Sequence, residues 1–115
     1  MHFESIEING QAAARVVGHG VVVTSAQDAL TLVAESGCGR IVLRREQLHP
    51  DFYELRTGLA GEVMQKLVTY GCRLAVVGDF GEVHSRSFRA LMHESNRSGR
   101  IVFAATEEEI GGLWR

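Results

Sequence analysis

Apolar residues recur along this chain with two periods, and the switches between them mark out the elements. Phe3-Glu4-Ser5-Ile6-Glu7-Ile8 alternates apolar with polar, the period of a half-buried strand. Asn9-Gly10 follows, a pair in which both residues tolerate positive φ, and residues 12–17 return as the second strand of a hairpin. Gly18-His19-Gly20 breaks that strand, and the short run Val21-Val22-Val23 is left unassigned. The period then lengthens. Ser25 with Asp28 resembles a capping box, and Ala26, Ala29, Leu30 and Val33 make one stripe of a helix that Ser36-Gly37 ends. Ile41-Val42-Leu43, flanked by arginines, reads as a central strand.

Residues 44–56 form a polar connector holding the only proline, Pro50, after which Asp51-Phe52-Tyr53-Glu54-Leu55 suits a helical turn. Leu59, Ala60, Val63, Met64, Leu67 and Val68 give a second helix, over residues 58–70, a broad apolar face. Gly61 within it costs about 1 kcal/mol relative to alanine, which points to close packing against a neighbouring backbone. Residues 74–77 are uniformly apolar, as in a strand covered on both faces. Gly78-Asp79-Phe80-Gly81 turns the chain. Ser85 is placed to cap a third helix carrying Phe88, Leu91 and Met92, which Asn96-Arg97-Ser98-Gly99 ends. Residues 101–105 are the last strand, and Thr106-Glu107-Glu108-Glu109 reads as a capping box for a short final helix with Ile110, Leu113 and Trp114.

Helices alternating with apolar strands predict parallel pairing through right-handed crossovers, with the hairpin as an antiparallel edge. The expected fold is α/β: a single domain with one mixed sheet of about five strands and helices packed on it. Its core should hold Val42, Leu74, Val76, Val102 and Phe103 from the strands, with Leu30, Leu59, Val63, Leu67 and Leu91 from the helices.

A length of 115 residues is enough for one domain to bury a core without staples. Twelve basic residues against fourteen acidic ones leave a net charge of −2, which argues against a nucleic-acid partner. Cys38 and Cys72 lack C-x-x-C spacing and read as reduced thiols of a cytoplasmic protein. The start lacks the pattern of a signal peptide, and no apolar run is long enough to span a bilayer. The histidines, at 2, 19, 49, 84 and 93, have no ligand spacing, so neither a metal nor a cofactor is expected. The letters Asp79-Phe80-Gly81 match a kinase metal-binding motif, but the rest of that signature set is missing.

The strongest candidate for chemistry is Arg56-Thr57-Gly58 at the start of the second helix. A hydroxyl beside a partly positive helix end suits an anion or a phosphoryl group, although threonine there also serves as a plain cap. Leu55-Arg56-Thr57-Gly58-Leu59 with the later Val77-Gly78 and Thr106-Glu107-Glu108 resembles the STAS domain of bacterial anti-sigma-factor antagonists. The fuller pattern (57–62, Val77-Gly78-Asp79-Phe80 and Glu94-Ser95-Asn96-Arg97) is similar to an uncharacterised bacterial family of small domains. The STAS resemblance implies a regulatory, non-enzymatic interaction module in which Thr57, before the glycine, holds the position that a partner kinase phosphorylates. It implies a kinase or anti-sigma-like factor as partner. The sequence departs from the signature at Leu55, which stands for its aspartate, and at Arg56, which stands for its serine. On this reading Tyr53, Arg56, Thr57 and Gly58 make the interaction surface.

A second reading puts a small molecule or anion at the carboxyl ends of the parallel strands, between Thr57 and Asp79, with Ser85 and Arg86 close in sequence. A cavity of roughly 300 Å³ or more would favour that reading over a convex protein-binding patch. Arg86, Arg89, Arg97 and Arg100 form a loose basic group around the third helix, read as a solvated face. A homodimer is expected through the hairpin or the terminal helix, since Phe3, Ile6 and Ile8 suggest an apolar hairpin face and Trp114 an aromatic anchor.

Overall fold

The computed structural model describes residues 1–115. Strands β1 (His2–Ile8) and β2 (Gln11–Val17) pair antiparallel, from His2 opposite Val17 to Ile8 opposite Gln11. Asn9 and Gly10 make the turn at φ 50° and 76°, the left-handed pair the sequence predicts there. β2 then pairs parallel with β3 (Arg40–Arg44), β3 with β4 (Arg73–Val77), and β4 with β5 (Ile101–Ala104). The sheet order is β1-β2-β3-β4-β5, which makes β3 the central strand.

Helices α1 (Ala26–Ser36), α2 (Leu59–Thr69) and α3 (Arg86–Ser98) carry the chain between successive parallel strands. Each crossover steps to the next strand in the same direction, so right-handed connections put all three helices on one face. There Leu32, Leu59, Val63, Leu67 and Phe88 meet Val16, Ile41, Leu43, Leu74, Val76, Ile101 and Phe103. The short α4 (Ile110–Leu113) covers the other face, where Ala13, Val42, Ala75, Val102 and Ala104 are small enough for it to sit close.

The two faces correct the expected hairpin. Side chains alternate across a strand, so Phe3 cannot share a face with Ile6 and Ile8. Phe3 packs on the α1–α3 side and the two isoleucines on the α4 side. In α1, Leu32 is fully buried where Leu30 was expected, and in α3 Phe88 takes the deep position while Leu91 stays at the rim. Gly61 has no close neighbour: a β-carbon built there meets nothing within 4 Å.

The expected caps are also partly rewired. Ser25 Oγ accepts from the Asp28 N–H at 3.4 Å, but the Asp28 carboxylate turns to the Thr24 N–H (2.8 Å) and hydroxyl (2.9 Å). Thr106 makes no side-chain cap. Instead Glu109 accepts from the Ala105 N–H at 2.9 Å, and Glu107 leaves to bind Arg15 through two bonds of 2.6 Å.

The connector after β3 is not a polar loop. Leu48 and Phe52 are buried, and so is Gln47, with none of its surface exposed. Gln47 Oε1 accepts from the Arg44 N–H (2.7 Å), and its Nε2 donates to the carbonyls of Val16 and Gly18 (both 3.2 Å). Its own carbonyl accepts from Val22 and Val23 at 2.7 and 3.1 Å, which settles the unassigned valine run as an extended segment beside residues 47–49. The outer edge of β5 is closed by α3. Asn96 exchanges both amide bonds with Phe103, accepting at 2.7 Å and donating at 3.1 Å, and the Ser95 hydroxyl donates to the Ile101 carbonyl. Backbone groups that would otherwise invite another strand are thereby satisfied.

Candidate functional site

The carboxyl ends of β3 and β4 open into a cleft of about 430 Å³. Its walls come from the two segments that leave those strands: the 3-10 turns Arg45–Gln47 and Pro50–Tyr53, and residues 82–85 ahead of α3. Leu48, Pro50 and Val83 supply apolar lining, and Arg45, Tyr53, Ser85, His84 and three glutamates (46, 54 and 82) supply the polar groups.

An aromatic network braces the site. Tyr53 meets Phe52, Phe88 and Phe80 at ring-centre distances of 5.3, 5.4 and 6.5 Å, and Phe103 continues it through Phe80 (5.6 Å) and Phe88 (5.9 Å). Most of these pairs are edge-to-face, the arrangement aromatic quadrupoles favour. Four of the five phenylalanines thus stand behind one tyrosine. The Tyr53 hydroxyl donates to the Arg45 carbonyl at 2.7 Å. Burial holds its phenol well above the ordinary value, so it positions Arg45 and does not exchange protons near neutrality.

Arg45 is the distinctive residue of the cleft. Its guanidinium carbon lies 5.8 Å from the Tyr53 ring centre, within cation–π range, and Nη1 approaches the mostly exposed Glu82 carboxylate only to 3.8 Å. Its Nε is buried and has no hydrogen-bond partner. Gly78 makes room for the stem, since a β-carbon there would lie 2.7 Å from Arg45 Cβ. Glu46 is held below the usual carboxylate range, first by its own backbone N–H and then by Arg44 at 2.9 Å.

The sequence candidates divide around this cleft. Tyr53 and Ser85 line it; Arg56, Thr57, Gly58, Asp79 and Arg86 do not. Thr57 is exposed at the end of the 3-10 turn Leu55–Thr57, and the cap residue of α2 is Gly58, at φ 81°. The Thr57 hydroxyl donates towards the carbonyls of Asp51 (2.7 Å) and Glu54 (2.8 Å) and accepts from the Leu59 N–H at 3.3 Å. Arg56 turns to Glu54 at 3.7 Å. Asp79 closes its own turn by accepting from the Gly81 N–H at 2.8 Å. Ser85 caps α3 by accepting from Phe88 at 3.2 Å, and Arg86 is exposed on its first turn. The Ser85 hydroxyl is bonded to the Phe88 N–H and to the Ser87 hydroxyl, and to no histidine or carboxylate.

Elsewhere, no three His, Cys, Asp or Glu side chains come together as a metal group. Cys72 is buried, which pushes its thiol up and keeps it unreactive. No helix is long and apolar enough to cross a membrane. The indole N–H of Trp114 donates to the Leu74 carbonyl at 3.1 Å, so this aromatic anchor is used within the chain.

Arg45 and the glutamates were missed in the sequence because nothing in spacing joins position 45 to position 82. Only the packing of Tyr53 on Phe52, Phe80 and Phe88 brings the two segments together as one wall.

Fold and site define an α/β domain with a braced, concave, mixed-charge cleft beyond its parallel strands. The chain belongs to the family described as Domain of unknown function (DUF4180), whose model matches residues 8–112. No curated protein and no solved structure matches it.

Proposed function

We propose that this domain is a non-enzymatic binding module whose cleft takes a small zwitterionic ligand. Its acidic group would sit on Arg45, and an amino or guanidino group would face Glu46, Glu54 and Glu82. The observation that carries the reading is Arg45, which lines a cavity large enough for a metabolite and holds no carboxylate closer than 3.8 Å. A guanidinium that no carboxylate holds closely gains a charge-assisted bond from a ligand carboxylate or phosphate. Three carboxylates around it disfavour a polyanion, which selects a ligand carrying both signs.

The test is calorimetric titration and thermal shift with amino acids, short peptides, dicarboxylates and diamines, on the wild type and on Arg45→Gln. A zwitterion should bind saturably, and Arg45→Gln should weaken it about tenfold or more, the effect of one charge-assisted bond. Binding confined to diamines, or equal in Arg45→Gln, would reject the reading.

A second reading is a STAS-like, phosphorylation-switched regulatory module of a bacterial protein, with a kinase or an anti-sigma-like factor as partner. What favours it is the exposed Thr57 directly ahead of Gly58 at the start of α2. A phosphoryl group there would remove the proton Thr57 gives to Asp51 and Glu54 and place a dianion against two carbonyl oxygens. The switch would then act by releasing residues 50–57, part of which forms the cleft wall. Faster amide exchange across 50–58 in Thr57→Glu, with loss of a partner captured by the wild type, is the expected result. Unchanged exchange and unchanged capture would remove it.

A further inference from the structure

We propose that two copies of this chain associate antiparallel through α2, each laying that helix into the groove between α2 and α3 of the other. α2 packs side by side with α1 but stands off from α3, and a cavity of about 500 Å³ lies open between them. Its α2 wall is Gly61, Met64, Gln65 and Val68, the i, i+3, i+4, i+7 stripe along which one helix meets another. Leu91 opens the matching stripe of α3. Ala60, Val63 and Leu67 already serve the core from another side of α2, so the groove stripe is left over.

Two features of that stripe fit each other. Val68 is 46 % exposed, an apolar side chain left half uncovered by its own chain. Gly61 is a hole: a β-carbon there meets nothing within 4 Å, although glycine costs a helix about 1 kcal/mol relative to alanine. Its φ is not positive, so the backbone does not require glycine, as it does at the turn glycines that are equally open. A knob and a hole two turns apart on one helix complement a second copy when it runs antiparallel, since Val68 then lands on the partner's Gly61 and the reverse. The charges follow the same axis. Glu62 and Lys66, the only lysine of the chain, lie on one flank of the stripe, and neither makes an ion pair within the chain. Antiparallel pairing about the midpoint of 61 and 68 brings Lys66 within one residue of the partner's Glu62, twice by symmetry. Parallel pairing would instead set like charge on like charge. α2 and α3 are only about 16 and 20 Å long, so the interface is small and the association weak and reversible. The groove shares no residue with the cleft, and the inference stands independently of the zwitterion reading.

The experiment is sedimentation equilibrium of the whole chain from about 10 μM to 1 mM, a range that spans weak dimers. The wild type should pass from monomer to dimer across it. Val68→Glu brings a carboxylate beside the partner's Glu62, and Gly61→Gln fills the hole. Both should stay monomeric throughout, with melting temperatures in dilute solution no lower than a few degrees below wild type. Glu62→Lys and Lys66→Glu should each raise the dissociation constant about tenfold, since two attractions become two repulsions. Mixing those two variants should restore association as a heterodimer, because each then meets the opposite sign, and this readout uses two chains that differ from wild type only at exposed charge. A wild type that is monomeric at 1 mM, a dimer that Val68→Glu or Gly61→Gln leaves intact, or a mixture that associates no better than its components would each overturn the inference. An intact dimer in those variants would put the interface elsewhere, on the open edge of β1.

Discussion

Replacing Gln47 by alanine tests what holds the cleft in place. The side chain is fully buried and makes three hydrogen bonds, to Arg44 N at 2.7 Å and to the carbonyls of Val16 and Gly18 at 3.2 Å. Each bond is worth about 1 kcal/mol net, and the lost methylene about 0.8 kcal/mol. The expected loss is therefore about 3–4 kcal/mol, from a total of about 6–17 kcal/mol for a domain of this size. With an unfolding entropy of about 0.24 kcal/mol/K for this chain length, the melting temperature should fall by about 15 °C. Urea denaturation followed by circular dichroism and Trp114 fluorescence measures it, with Glu46→Ala as a neighbour that should cost under about 1 kcal/mol. Gln47→Glu adds a discriminating sign. A carboxylate there has no N–H for the two carbonyls and must keep its proton, so its folded pKa is raised. The stability of this variant relative to wild type should thus be greatest at acidic pH and fall as pH rises. A loss below about 1 kcal/mol in Gln47→Ala, or a flat pH difference in Gln47→Glu, would refute the reasoning.

Three further outcomes follow from the same geometry. Gly61→Ala should stabilise the fold by up to about 1 kcal/mol in denaturant titration, because the helix gains propensity and the new methyl meets nothing within 4 Å; destabilisation would show that the position is packed after all. Glu107 is held below its ordinary pKa by its bonds to Arg15, so its contribution is complete above the usual carboxylate range and is lost as pH falls through the lowered value. Glu107→Gln should accordingly cost about 1 kcal/mol at pH 7, by thermal melts, and the gap to wild type should close in acid; a gap that persists in acid would contradict this. Gly78→Ala should push on the Arg45 stem, at 2.7 Å from its Cβ, costing about 1–3 kcal/mol and weakening ligands of the cleft along with stability; an unperturbed variant would mean that Arg45 is free to move aside.

The parts of this molecule that local rules govern were readable residue by residue. The Asn9-Gly10 hairpin follows from backbone freedom at two positions, the strands at 41–43 and 74–77 from their apolar runs, and the third helix from Ser85 and the spacing of Phe88, Leu91 and Met92. The turn after Pro50 was equally legible, because proline presets its own φ. Where two local arrangements lie close in energy, tertiary contacts made the choice. Glu107 left a helix cap for Arg15, ninety-two residues away, because a charged two-bond pairing outweighs a cap. Leu32 displaced Leu30 in the core because the rotation of α1 is set by what lies under it, not by its own stripe. The cleft belongs wholly to this second kind. It joins positions 45, 53 and 82, which no period relates. Parallel pairing brings strand ends together at about 4.8 Å, and only the folded sheet supplies that distance.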